Sequence, residues 1–563
     1  MTQILNLSDI QGNVTRAYGR FSFPFARYFF FRIRKAQAGR DFVEAVRQKV
    51  TTSARWSTEE EKPRCTTNIG FTFMGLYSLE VPIRTLQGMP TVFSGGMRAR
   101  ASMLGDRDST KTEAEDPNWD KDWDPIWQGN RKVGLNGAKD VHIWVSINAQ
   151  PISEHRVNVP DPEFEARTNW LMALADDSND GIHLIRENGR NGDLPYQEAS
   201  AIFDDFDGAL LPTPKEHLGF SDGIGDPVFE GQLPPEKEKT AVLGRGKRVN
   251  REWQPLETGE FILGHPDESQ ELPPAARPPE FTYDGTFMAY RKLHENVGTF
   301  HEVINEETAQ FAKAMDIPVE EARDTLLAKM CGRWSDGVPL TLVPDHADWI
   351  KFGQDKGWRD PKTGAMLKTI PAWKAQLEYI RSPEASDFRY GDDMAGFKCP
   401  VGSHLRRVNT RDYLDPLNTL GFNAKTGEQP TNADASSALN KRRRILRRGL
   451  PYGPPNFDHK DDETEQGVIM LIMGTSIERQ FEFVQQQWIQ YGLDFNQGNN
   501  TCPLLGDHAH HKRFTIASHP SSGKPPYIMS KLKTFVECRG GEYFFIPSMV
   551  ALRMLAMGLV DPT

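Results

Sequence analysis

The sequence predicts an α+β fold with antiparallel sheets, on three observations. Stretches rich in aromatic and β-branched residues recur along the whole chain. Helical patterns fall between them without a regular strand–helix alternation. The strands are bounded by turns, and none runs into a glycine-rich phosphate loop, which separates the chain from a doubly wound parallel sheet.

The strand stretches, in order, are ARYFFFRI (26–33), TNIGFTFMGL (67–76), VHIWVSINA (141–149), GTFMAYRKL (285–293), GVIMLIMG (467–474) and GEYFFIP (541–547). Helices are expected at 37–50, where Phe42, Val43, Val46 and Val50 share a face, and at 303–316, 319–330 and 476–492. An early strand, a helix, a pair of strands and a later helix recur in each half, without residue-level similarity. The proline- and charge-rich stretch 231–261, followed by ELPPAARPPEF at 271–281, reads as a linker. This divides the chain into 1–235, a linker region 236–280, and 281–563, with polar insertions near 352–398 and 423–444.

At 563 residues with 38% hydrophobic residues, the chain can bury a large core. The net charge of −10 argues against a nucleic-acid partner. Its 5 cysteines are scattered without a C-x-x-C pair, so neither a disulfide framework nor a zinc site is expected. The N-terminal stretch lacks the features of a secretory leader, and VIMLIM at 468–473 is too short to span a bilayer. A soluble, cytoplasmic protein is expected.

Three segments carry candidate chemistry. In HLGFSDGIGDP, glycines flank Asp222, which by itself reads as a turn. In FKCPVGSHLRRVNTR, Pro400 and Gly402 break the backbone and present His404 at the start of a helix, with Arg406 and Arg407 following. A neutral imidazole with guanidinium groups nearby suits an axial haem ligand whose propionates need cations. In KRRRILRRGLPYGPP, the apolar Ile445 and Leu446 and the Gly-Pro turn exclude a solvated basic arm, and one arginine can point inward. The histidines of GDHAHHKR (506–513) read as a solvated loop.

Together, GFSDG (219–223), the segment Cys399–Arg411 and the turn Arg447–Gly453 resemble the dye-decolourising peroxidases, a haem-peroxidase family. The family's middle motif carries proline where this chain has Thr410. Further similar segments run from SDIQGNV (8–14) to RGGEYFFIPSMVALRMLA (539–556), and the length resembles the larger subgroup. The resemblance implies two ferredoxin-like domains, with one haem b held mainly by the second. It implies a peroxidase that oxidises dyes, phenols and other aromatic reductants with hydrogen peroxide, favoured at acidic pH. A haem-handling protein on the same fold is the alternative.

By the same resemblance His404 is the iron ligand, and Asp222 and Arg447 are the catalytic pair; His217, just before GFSDG, is next in line as ligand should His404 not serve. Strand alternation points Arg447 and Arg448 to opposite faces, so only one can reach the site. Gly223, Ile224, Val468, Met470 and Arg406 are expected to contact the cofactor. Glu478 and Glu482 are candidates for the acid that bonds the second nitrogen of His404.

Overall fold

The computed structural model describes residues 5–129, 141–152, 158–419, 434–509 and 512–560. Four strands of the first half are β1 (Phe25–Ile33), β2 (Cys65–Phe71), β3 (Ile143–Ala149) and β4 (Ile182–Leu184). Four of the second half are β5 (Thr286–Glu295), β6 (Leu446–Arg448), β7 (Gly467–Gly474) and β8 (Val536–Ile546). All pairings between them are antiparallel, in the order β6–β7–β5–β8–β2–β3–β1–β4. Each half therefore repeats the ferredoxin-like order, second–third–first–fourth. The halves join through one pair, Phe545 of β8 opposite Phe71 of β2.

The expected strands are found, with one shortened. TNIGFTFMGL ends as a strand at Phe71 because Thr72 caps a short helix, Phe73–Ser78, its hydroxyl accepting from the Gly75 N–H. Helix α1 (Ala36–Arg47) connects β1 to β2, and α2 (Glu163–Asp176) connects β3 to β4. In the second half α3 (Val297–Met315) and α4 (Val319–Cys331) follow β5. The helix expected at 476–492 is wound wider, as π-helical segments Ile477–Glu482 and Val484–Ile489.

Phe30 of β1 and Tyr290 of β5 are separated by three strands in the sheet, about 19 Å in a flat one. Their rings lie 5.2 Å apart, so the sheet curls and closes a barrel-like interior. Tyr28, Phe30, Trp127, Trp144, Tyr290 and Phe544 fill that interior. On the outer face α1 and the helix Met549–Met557 pack over Phe29, Phe31, Val145 and Phe545.

Two expectations about organisation differ from the structure. The stretch 236–280, expected as a linker region, packs into the body of the protein, with Leu256, Phe261, Ile262 and Leu263 fully buried. Residues 352–398 are not a surface insertion: Trp358, Tyr379, Phe388, Tyr390 and Met394 belong to the apolar core around α3 and α4. Their aromatic residues were outweighed in the sequence by flanking lysines and aspartates. Of 423–444, residues 423–433 lie outside the described residues, while Arg444 is buried. No helix among the described residues is long and apolar enough to cross a membrane.

Because Phe30 touches aromatic rings from both halves, including Trp127 at 4.9 Å and Tyr290 at 5.2 Å, it couples them. Phe30→Ala is expected to cost about 3–5 kcal/mol in urea unfolding and to shift the two halves together.

Candidate active site

A cavity lies between the outer face of the second half's sheet and the helices that cover it. It is lined by Leu293 of β5, Met470 and Ile472 of β7, Cys331 of α4 and Phe481 and Val484 of the π-helical turns. Asp222, Ile224, His404 and Arg447 open onto it. Strand alternation selects these residues: Met470 and Ile472 face the cavity while Ile469, Leu471 and Met473 enter the barrel interior.

The Asp222 loop is strung on two buried carboxyl groups. Glu216 accepts from the N–H of Leu218 and of Phe220, each at 2.7 Å, and Glu295 of β5 accepts from the N–H of His217 at 3.1 Å. Burial raises both carboxyl groups above their ordinary range. Gly219, Gly223 and Gly225 have φ of +93°, +80° and +81°. No protein atom lies within 4 Å of where a Gly219 Cβ would sit, so these glycines serve the left-handed backbone.

Asp222 is held between two guanidinium groups. Arg447 Nη1 lies 2.7 Å from Oδ1, and Arg20 Nη2 lies 3.3 Å from Oδ2. Burial alone would raise the Asp222 carboxyl, but Arg447, Arg20 and the Gly223 N–H outweigh it and hold it well below the usual carboxylate range. Asp222 in turn raises Arg447. Arg448 turns the other way, donating to the carbonyls of Asn13 at 2.7 Å and Val14 at 2.9 Å and pairing with Asp226 at 2.9 Å. Arg20 carried no signal in the sequence, because it comes from a separate N-terminal turn.

His404 opens the short helix His404–Val408. Burial, reinforced by Arg447, lowers its imidazole to about 4, so the ring is neutral at neutral pH and able to ligate a metal. Its Nδ1 lies 3.3 Å from Cys502 Sγ. Neither expected acid meets it: Glu478 is exposed, and Glu482 binds Arg100 Nε and Nη2 at 2.9 Å each and Tyr543 Oη at 2.8 Å. His217 is no competitor as a ligand, since its Nε2 lies 2.9 Å from the Tyr452 carbonyl and it does not line the cavity. His508, expected on a solvated loop, is buried, and His510 and His511 lie outside the described residues.

Two further expectations need correction. Arg406 does not reach the cavity: it is fully buried, 2.7 Å from Asp393 Oδ2, and stacks 4.3 Å over Tyr390. Two residues on from His404, about 200° around the helix, it points away from the face that His404 presents. Val468 and Gly223 line a second cavity instead, behind the Asp222–Arg447 pair, with Arg20, Phe21 and Arg381. Met470 borders both.

In place of Arg406 the cavity has Arg333, Arg411 and Arg444, each no more than 5% exposed. Their bonds run to carbonyls: Arg333 to Gly337 and Ala385, Arg411 to Phe388 and Arg444 to Gly246. The Arg411 Nε is buried without a partner. Burial pulls Arg411 down to about 10 and Arg444 to about 9. Buried cations bonded only to neutral carbonyls call for an anion. A group with two carboxylates on an apolar body, coordinated by a neutral histidine, fits this lining, and haem has that chemistry. Arg411 closes the sequence motif that contains His404, and Arg444 lies in the basic run before Arg447, but their direction was not readable there.

The two kinds of arginine separate in stability measurements. Arg406→Leu strands the buried Asp393 carboxylate and is expected to cost about 3–5 kcal/mol. Arg411→Leu removes an uncompensated charge and is expected to leave the cofactor-free chain as stable as before, by urea titration.

The chain and its fold have counterparts among known proteins. Residues 9–139 match the family model described as the DyP dimeric alpha+beta barrel domain. Peroxidase 2 of Mycetinis scorodonius is 24% identical over 98% of this chain and 87% of its own length. The dye-decolorizing peroxidase AauDyP1 of Auricularia auricula-judae is 26% identical over 69% of this chain and 67% of its own. Among solved structures, an ancestral D-type dye-decolorizing peroxidase superposes with a TM-score of 0.68 at 22% identity, covering 98% of this chain and 99% of that one. With the motifs in order and the strand order repeated in both halves, this chain is similar along nearly its whole length to dye-decolorizing peroxidases and shares their fold.

Proposed function

We propose that the cavity is a haem b site at which Asp222 and Arg447 activate hydrogen peroxide, with His404 as iron ligand and Arg411, Arg444 and Arg333 facing the propionates. The chain is a hydrogen-peroxide-dependent oxidoreductase that acts on dyes and phenols. A relative in this fold was solved as a complex with 2,6-dimethoxyphenol. The named relatives over nearly the full length are peroxidases, which favours this reading over a haem-handling protein. One observation carries the residue assignment: the Asp222 carboxylate and the Arg447 guanidinium, bonded at 2.7 Å, share a cavity with a neutral imidazole.

Haem, when bound, would supply the iron at which peroxide is reduced and would hold the two oxidising equivalents that peroxide delivers. The chain supplies proton transfer and charge stabilisation. Ionised Asp222 takes a proton from the inner oxygen of hydrogen peroxide and delivers it to the outer oxygen. Arg447 stays cationic and stabilises the negative charge that develops as the O–O bond breaks. Arg20 keeps the carboxylate aimed and ionised, through its bond to the second oxygen.

Asp222→Asn is expected to slow peroxide activation by about 10²–10⁴-fold while haem uptake is retained. Stopped-flow mixing with peroxide, followed at the Soret band, reads this, and wild-type rates across pH would remove Asp222 from its role. His404→Ala is expected to lose haem or hold it weakly, read as loss of the Soret band.

The pH dependence follows from the sign of the Asp222 shift. A depressed carboxyl stays ionised as pH falls through the ordinary carboxylate range, so base function persists there and fails only below it. Asp222 therefore sets the acid limb of the profile and not a decline toward neutral pH. Arg20→Gln removes one cation, raises the carboxyl and is expected to move the acid limb to higher pH. An unmoved limb would show that Arg20 does not act on Asp222.

A further inference from the structure

One ring nitrogen of His404, Nδ1, meets a sulfur atom rather than a carboxylate. Cys502 is fully buried and presents Sγ 3.3 Å from His404 Nδ1. Its place is determined on both sides. The Cys502 N–H donates to the Ile489 carbonyl at 2.7 Å, and its carbonyl lies 3.1 Å from His508 Nε2. Arg407 ties the two loops together: Nε donates to the Gly402 carbonyl at 3.0 Å, Nη1 to those of Trp488 and Tyr491 at 2.8 Å each, and Nη2 to that of Asn500 at 3.2 Å. One guanidinium thus spans the segment before His404 and the segment before Cys502. Among the described residues no carboxylate is hydrogen-bonded to His404, Glu482 being committed to Arg100 and Tyr543.

We propose that Cys502 is the positioning residue of the haem ligand: its sulfur accepts the hydrogen bond from His404 Nδ1–H and directs Nε2 toward the iron. The proposal rests on the haem reading above. A ligating histidine whose other N–H meets a carboxylate becomes a more basic ligand. A thiol sulfur is a weak acceptor and contributes less. In this chain the imidazole is therefore oriented firmly but enriched in electrons only modestly. The ferric state is then stabilised less, and the ferric/ferrous potential lies higher than it would with a carboxylate at the same place.

The test uses the full, haem-loaded chain and three variants, Cys502→Asp, Cys502→Ser and Cys502→Ala. Spectroelectrochemical titration gives the potential, resonance Raman of the ferrous form gives the iron–histidine stretch, and transfer to apomyoglobin gives haem loss. Cys502→Asp is expected to move the potential to more negative values and to raise the stretching frequency. Cys502→Ala is expected to lower the frequency and weaken haem retention by about 10–100-fold, the usual consequence of losing such a partner. Cys502→Ser keeps an acceptor of similar size and is expected to stay near wild type, which separates positioning from packing. Unchanged potential and stretching frequency in both the Asp and Ala variants would overturn the proposal, as would equal losses in Ser and Ala. A wild-type chain that takes up no haem at all would overturn the haem reading itself, and this inference with it.

Discussion

The ion pair between Asp222 and Arg447 is where distant parts of the chain are made to meet. Asp222 comes from a loop beyond β4 late in the first half, Arg447 from β6 of the second, and Arg20 from the N-terminal turn. A carboxylate between two guanidinium groups in a partly closed cavity is strongly ionised. Its aim depends on the left-handed glycines and the two buried glutamates below the loop. The β6–β7 register, Arg447 opposite Ile472, points one arginine at the cavity and commits its neighbour to the N-terminal segment.

Charge balance explains the rest of the cavity. Arg406 has its counter-charge in Asp393 and behaves as part of the fold. Among the described residues the hydrogen bonds of Arg333, Arg411 and Arg444 run to carbonyls, and burial disfavours their charged forms. The difference between a structural and a ligand-facing arginine is thus whether a carboxylate lies within reach, and not whether the residue belongs to a basic run. Cys502 adds the same lesson from the other side of His404, where a neutral sulfur sits in the position where an acid was expected.

Much of the architecture was legible in the chain. The aromatic and β-branched runs at 26–33, 141–149, 285–293 and 467–474 became strands because their residues suit a pleated, buried surface. Asp222, His404 and Arg447 were singled out because the segments that hold them, GFSDG, Cys399–Arg411 and Arg447–Gly453, resemble the dye-decolourising peroxidases; taken alone the Asp222 loop reads as a turn. The segments 236–280 and 352–398 were misjudged, since local polarity conceals the few large apolar residues that long-range packing buries.

The sequence by itself determined the α+β class, the strand and helix order, the loop chemistry around Asp222 and the identity of the candidate ligand, since each depends on residues adjacent in the chain. Only the tertiary structure decided that Arg20 joins Asp222, that Arg411 and Arg444 replace Arg406 at the cavity, and that Cys502 rather than Glu478 or Glu482 meets His404. Cys502 and His404 are 98 positions apart, and Arg20 and Asp222 are 202 apart. Contacts at that range are set by how the curled sheet and its covering helices pack, a constraint that no short stretch of sequence carries.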